Sequence, residues 1–189
     1  MIEQLLPNVD WEVMLQATYE TLYMTFIATI ATFIFGTLLG LLLFLTSPHN
    51  LWSNRIVYFL TGSLVNIFRS IPFIILIVLL IPFTILLFGS IRGANAALPA
   101  LIIGSSPFYA RLVVIALREI DSGVIEAARS MGASTFTIIR KVLIPESLPA
   151  LISGITVTAV LLVGYTAMAG IIGAGGLGHL AFLDGFQRN

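Results

Sequence analysis

The sequence predicts an all-α fold, a polytopic bundle of membrane-spanning helices, and three observations carry that prediction. Of 189 residues, 58% are hydrophobic and 10% charged, where a soluble globular chain carries about 25% charged residues. The charges are clustered, leaving long stretches with almost none, and an ionised side chain in hydrocarbon costs about 2.5 kcal/mol or more. Those stretches reach the length of about 20 apolar residues that a span requires. One domain is expected at this length, with room for roughly four to six spans. The same composition excludes a water-soluble enzyme, because so few charges cannot cover so much apolar surface. Nine Lys and Arg balance nine Asp and Glu, which argues against nucleic acid as a partner, since polyanion binding draws on a surplus of basic residues. The absence of cysteine excludes disulfides, thiolate catalysis and Cys-ligated metals.

The spans follow from the charge-free runs. The first is expected at about 21–45, closed by Ser47-Pro48-His49-Asn50. The second is read as one long span over 55–88, kinked near Pro72 because proline removes a helical hydrogen bond and clashes with the preceding turn. The third covers 95–117, interrupted by Pro99 and Pro107, and the fourth 148–172. Between the last two lies a polar island, residues 118–146, holding eight of the 18 charged residues. Four spans place the first loop and the island on one side, with Arg55, Arg118, Arg129, Arg140 and Lys141; the other side has Arg92 and Arg188. The basic excess puts the island in the cytoplasm. The N-terminal stretch, with Glu3, Asp10, Glu12 and Glu20, is expected outside, and it lacks the basic region of a cleavable signal peptide.

Inside the island the pattern turns amphipathic, as in a helix lying on a surface or against a partner. Asp121 is positioned to cap a helix over about 122–131, with Val124, Ala128 and Met131 on one face. Gly132 suits the left-handed residue that ends it. Ser134 then caps a second short helix with the stripe Phe136, Ile139 and Leu143, stopped by Pro145, and Pro149 falls in the opening turn of the next span. A connecting loop needs only about 2 to 8 residues, so an ordered island of this size points to docking on another protein, beside the plainer reading of a capped loop. A DNA-binding helix-turn-helix fits in outline only, because the island has equal numbers of positive and negative residues and is tethered between spans.

Glu126-Ala127-Ala128, then Gly132, then Ile144-Pro145 resembles the EAA loop of ABC importer permeases. Asn66-Ile67-Phe68-Arg69-Ser70-Ile71-Pro72-Phe73, Pro107-Phe108 with Ala110-Arg111, Gly164-Tyr165 with Ala167-Met168, and Gly173-Ala174-Gly175-Gly176-Leu177-Gly178 are similar to methionine-importer permeases in particular. The resemblance covers about 21–178. It implies a membrane subunit, a homodimer with two ATPase subunits that carry ATP and magnesium, served by an external substrate-binding protein and moving an amino acid, methionine first. No catalytic residue, cofactor or metal is expected in this chain. Glu126, Ala127, Ala128, Gly132 and Pro145 are the implied ATPase-coupling residues of the 121–145 loop. Glu126 would brace its helix through Arg129 or Ser130, and Gly132 would bend between the two short helices. The family has a fifth span after the Gly-rich segment; this chain shows four hydrophobic spans, with 179–189 expected as an outer loop.

Other readings are weighed on the same residues. Gly173 to Gly178 spells G-x-G-x-x-G, but the dinucleotide fingerprint needs a strand before it and a helix after it in a soluble unit. A flexible outer turn with close packing at Gly170 and Ala174 fits better. No G-x-x-x-x-G-K-[ST] occurs, so ATP hydrolysis falls to a partner chain. Arg69 and Arg111 are the charges in or beside the spans. Arg111 suits an interface anchor, while Arg69 either meets carbonyls freed at Pro72 or faces the translocation pathway. Tyr165 and Met168 are either core or pathway residues, with Met168 flexible enough to gate. A proton-coupled transporter would place a carboxylate or histidine in its spans, and an intramembrane hydrolase would need a Ser/His or paired-Asp site; neither pattern is present. A permease for another small amino acid and a passive channel subunit are the remaining alternatives.

Overall fold

The computed structural model describes residues 10–183 and Gly185, and all regular structure among them is helical. The elements are α1 (Trp11–Thr46), α2 (Arg55–Ser70), α3 (Phe73–Leu79), α4 (Ile81–Phe88), α5 (Ala94–Arg118), α6 (Ser122–Ser130), α7 (Thr135–Ile138), α8 (Ile144–Ala169) and α9 (Gly176–Phe182), with wide π-turns at Ile139–Leu143 and Gly170–Ala174. Among the described residues, Trp11–Thr46, Ala94–Arg118 and Thr135–Ala174 are long and apolar enough to cross a membrane; α2 with α3 makes a fourth crossing if a broken pair counts as one span. The fold is thus an all-α membrane bundle.

Several boundaries differ from expectation, each for a physical reason. α1 begins at Trp11, well before 21, because Asp10 caps it: its Oδ1 accepts from the backbone N–H of Glu12 and Val13 at 3.1 and 3.2 Å. Glu12 and Glu20 therefore lie inside a long helix, so Arg69 and Arg111 are not the only charges in or beside the spans. The 55–88 segment is three helices and not one kinked span. Ile71 and Pro72 are extended, with ψ of 122° and 136°, because a residue before proline is pushed out of the helical region. Leu80 joins α3 to α4, and Pro82 falls in the first turn of α4, where no N–H is missed. α5 runs unbroken through Pro99 and Pro107, as membrane helices do where neighbouring groups can take up the freed carbonyls.

The largest difference concerns Pro145, which does not stop a helix. α7 passes through the first π-turn into α8, and the Ile144 N–H reaches back five residues to the Ile139 carbonyl. The widened turn makes room for the next residue, a proline with no hydrogen to donate. Pro149 consequently lies within α8 and does not open a span. At the other end, α9 carries helix through His179 to Phe182 where an outer loop is expected; residues 184 and 186–189 of that stretch, Arg188 among them, lie outside the described residues, as does Glu3.

The chain forms two compact units. One comprises the described residues of Met1–Thr29, Pro72–Ile102 and Ala159–Asn189. Its core holds Met24, Ala28, Ala97, Ala100 and Leu162, all essentially without exposure, and the alanines let backbones approach closely. The other comprises Ile30–Ile71 and Ile103–Thr158. There the buried Tyr109 donates its hydroxyl to the Leu151 carbonyl at 3.1 Å, and its ring centre lies 5.9 Å from that of Phe33. α1 presses on α5 through Gly36 and Gly40: a Cβ on Gly36 would lie 2.7 Å from Tyr109 Cδ1, and one on Gly40 2.6 Å from Val113 Cβ. Seven of the nine basic residues fall in this second unit, against four acidic ones.

Candidate functional site

The island belongs to the second unit and is built around α6. Asp121 Oδ1 accepts from the Gly123 N–H at 2.7 Å, fixing the start of the helix. The end is fixed by Gly132 at φ +79°. The Gly132 N–H bonds the Arg129 carbonyl at 3.0 Å and the Ala133 N–H bonds the Ala128 carbonyl at 3.1 Å, the pair of reverse bonds that closes a helix on a left-handed glycine. Ser134 then caps α7 through the Thr137 N–H at 3.3 Å. Two caps and one glycine thus hold a bend of two short helices whose carbonyls and amides are largely satisfied.

Which side chains face out differs from the sequence pattern. Ala128 turns inward and packs with Ile125, Ile138 and Leu143 onto the core around Tyr109 and Leu117. Ala127 and Glu126 are exposed. Val124 and Met131, expected on one face with Ala128, stay outward: they are 45% and 81% exposed, and Phe136 is 70% exposed. Val124, Ala127 and Met131 are spaced three and four apart, so they share one outer face of the helix, with Phe136 just past the bend. Glu126 bonds neither Arg129 nor Ser130, and no ion pair forms among the described residues. Glu126 instead lines a groove of about 270 Å³ together with His49, Asn50, Leu117, Arg118 and Arg129. Pro145 lies beyond the π-turn, away from the α6 surface in sequence but on the same continuous helix that receives it.

Of the candidate pathway residues, Arg69 belongs to the second unit, and Tyr165 and Met168 belong to the first. Arg69 is exposed in the last turn of α2, where a cation complements the helix dipole. It bonds no carbonyl at Pro72; Ser70 nearby donates to the Asn66 carbonyl at 2.8 Å. Arg111 is half-buried. In the first unit, Tyr165 stacks face to face on Phe73, ring centres 4.1 Å apart at 5°, as a core residue does. Met168 is 42% exposed. The Gly-rich segment is not a phosphate loop. Gly170 packs onto its own return, where a Cβ would lie 2.5 Å from the His179 nitrogen, and Gly173, Gly175 and Gly176 all have positive φ. Sequence reasoning missed what holds it: the Gly176 N–H donates to Glu20 Oε2 at 2.7 Å and the Leu177 N–H to Thr21 Oγ1 at 2.9 Å. A contact across 156 residues leaves no local pattern to read.

The profile of the family described as "Binding-protein-dependent transport system inner membrane component" matches residues 36–189. The chain is 65% identical to the methionine import system permease protein MetP of Bacillus subtilis over 189 residues, all of this chain and 85% of that protein. It is 49% identical to a probable D-methionine transport system permease protein MetI of Pasteurella multocida over 179 residues, 95% of this chain and 82% of the relative. Among solved structures, an inward-facing form of the MetNI methionine ABC transporter superposes with a TM-score of 0.92 at 46% identity, over 95% of this chain and 83% of that one.

Proposed function

Because the chain belongs to the family of inner membrane components of binding-protein-dependent transport systems, we propose that it is the membrane-spanning subunit of an ATP-driven importer of methionine. The observation that carries the substrate is the identity to permeases named for methionine, 65% over the whole chain. The partners on this reading are a second copy of the chain, two ATPase subunits that bind ATP and magnesium, an external substrate-binding protein and the surrounding bilayer, with no nucleic acid. The protein is multi-pass in the inner membrane, with its N-terminus outside and the 118–146 island in the cytoplasm. The basic excess of the 30–71 and 103–158 stretches supports that orientation.

The island then couples ATP hydrolysis to the spans mechanically. The outer face of Val124, Ala127 and Met131 with Phe136 is an apolar patch on an otherwise polar island, the composition of a docking surface with aromatic and methionine anchors. Glu126 stands beside it, uncommitted to any bond among the described residues and available to the ATPase. A displacement of α6 passes through the Gly132 bend into α7, and from there along unbroken helix through Pro145 into α8. Arg69, Tyr165 and Met168 remain the pathway candidates, with Tyr165 held by its stack on Phe73 and Arg69 and Met168 exposed. The test is reconstitution in vesicles with the ATPase subunit and binding protein, following uptake of labelled L- and D-methionine. ATP-dependent accumulation is expected; uptake without ATP means a channel, and preference for another small amino acid overturns the substrate.

A further inference from the structure

The Gly170–Leu177 segment is tied down from three directions, all within the first unit. Its Gly173 carbonyl accepts from the Gly93 N–H at 3.0 Å, and its Gly170 carbonyl lies 3.1 Å from His179 Nδ1. The third tie is made by α1: Glu20 Oε2 on the Gly176 N–H and Thr21 Oγ1 on the Leu177 N–H. The α1 side of this tie is organised in advance. Gln16 Nε2 donates to the other Glu20 oxygen at 3.2 Å, and the Thr21 hydroxyl donates to the Ala17 carbonyl at 3.0 Å. The receiving side is shaped to fit, since a Cβ on Gly175 would meet the Glu20 carboxylate and one on Gly176 would lie 2.7 Å from Thr21 Oγ1.

We propose that Glu20 and Thr21 are positioning residues that clamp this glycine hinge, and that the clamp releases and re-forms in each transport cycle. The inference rests on the importer reading above. The tie is reversible by construction. The tie from Glu20 and Thr21 is made of side chain to backbone hydrogen bonds, and the buried apolar anchor of the segment is the small Ala174 with half-buried Ile172 beside it, so the released amides and carboxylate find water. The open groove of about 310 Å³ that Glu20 borders with Tyr19, Tyr23 and Arg92 supplies that water. The hinge itself, with φ of +106°, +85° and +76° at Gly173, Gly175 and Gly176, has the backbone freedom to swing once let go. Position 178 is equally restricted, because a Cβ there would overlap Ala167, so α9 seats fully against the end of α8 or leaves it.

The experiment uses the permease assembled with its ATPase, following amide hydrogen exchange of the 170–182 peptides with and without ATP and vanadate. Protection is expected in the resting complex, and exchange faster by roughly tenfold or more in the trapped one, the factor that loss of one charged hydrogen bond implies. Glu20→Gln should show the faster exchange already at rest. Its ATP hydrolysis without binding protein should rise several-fold while the yield of assembled complex stays at the wild-type level, a split that a purely structural role would not give. Thr21→Val decides the matter if the first variant does not assemble. Wild-type uptake accompanied by unchanged exchange on trapping overturns the clamp alone. Absence of any ATP-dependent uptake by the wild type overturns the importer reading and the clamp with it.

Discussion

At the scale of single residues, Gly132 and the outward side chains of the island decide most. Gly132 sits at φ +79° with nothing within 4 Å of where a Cβ would be, so the glycine is required by backbone conformation and not by space. Gly132→Ala should cost about 1–2 kcal/mol, the penalty for an L residue in the left-handed region. That would be read as a lowered melting temperature of the solubilised protein, together with weakened stimulation of the ATPase by substrate. Met131 and Phe136 pose the opposite case. Their exposure of 81% and 70% means that their removal leaves the isolated chain nearly unaffected. Met131→Glu or Phe136→Ala should leave the melting temperature in place and weaken copurification of the ATPase subunit by about tenfold, as expected for the loss of an interface anchor worth about 1.4 kcal/mol. Equal recovery of the ATPase with either variant would remove this face as the docking surface.

At the scale of elements, helices were legible where charge and length speak and illegible where the backbone itself sets the geometry. The uncharged runs and the caps Asp121, Ser134 and Gly132 could be read because each acts on neighbours a few residues away. The break at Ile71 and the continuity through Pro145 could not, since proline signals a disturbance without saying whether the chain will bend, break or widen a turn. The inward turn of Ala128 beside the outward Met131 was hidden for a related reason: a helix between a core and a partner has two apolar faces, and composition alone does not tell them apart. The clamp at Glu20 and Thr21 was invisible because its partners are backbone amides far along the chain. The seam between α1 and α5 gives an element-level prediction. With Val113 Cβ only 2.6 Å from where a Gly40 Cβ would lie, Gly40→Val must push the two helices apart. Overpacking of this kind costs about 1–3 kcal/mol, and the variant should appear as reduced yield of monodisperse protein on size-exclusion chromatography.

At the scale of the whole molecule, orientation is the property most open to direct test. The chain has no cysteine, so single cysteines report sidedness without background. Phe136→Cys should react with a membrane-impermeant maleimide only from the cytoplasmic side of vesicles, and Ser90→Cys only from the outer side. The reverse pattern would invert the topology and detach the island from any ATPase. The π-turn at Ile139–Leu143 also reaches beyond its own few residues. Each residue of an α-helix advances the phase by about 100°, and the widened turn takes up one surplus residue, so α8 keeps the facing it would have without it. Deleting one residue from Ile139–Leu143 should close the turn to ordinary helix and leave the faces of α8 as they are, at a cost in stability because the Pro145 ring then meets a carbonyl one turn back. The same deletion in the middle of α5 would rotate every later side chain by about 100° and end assembly. In reading-frame terms, this turn is a position at which a codon can be lost without the helix losing its place.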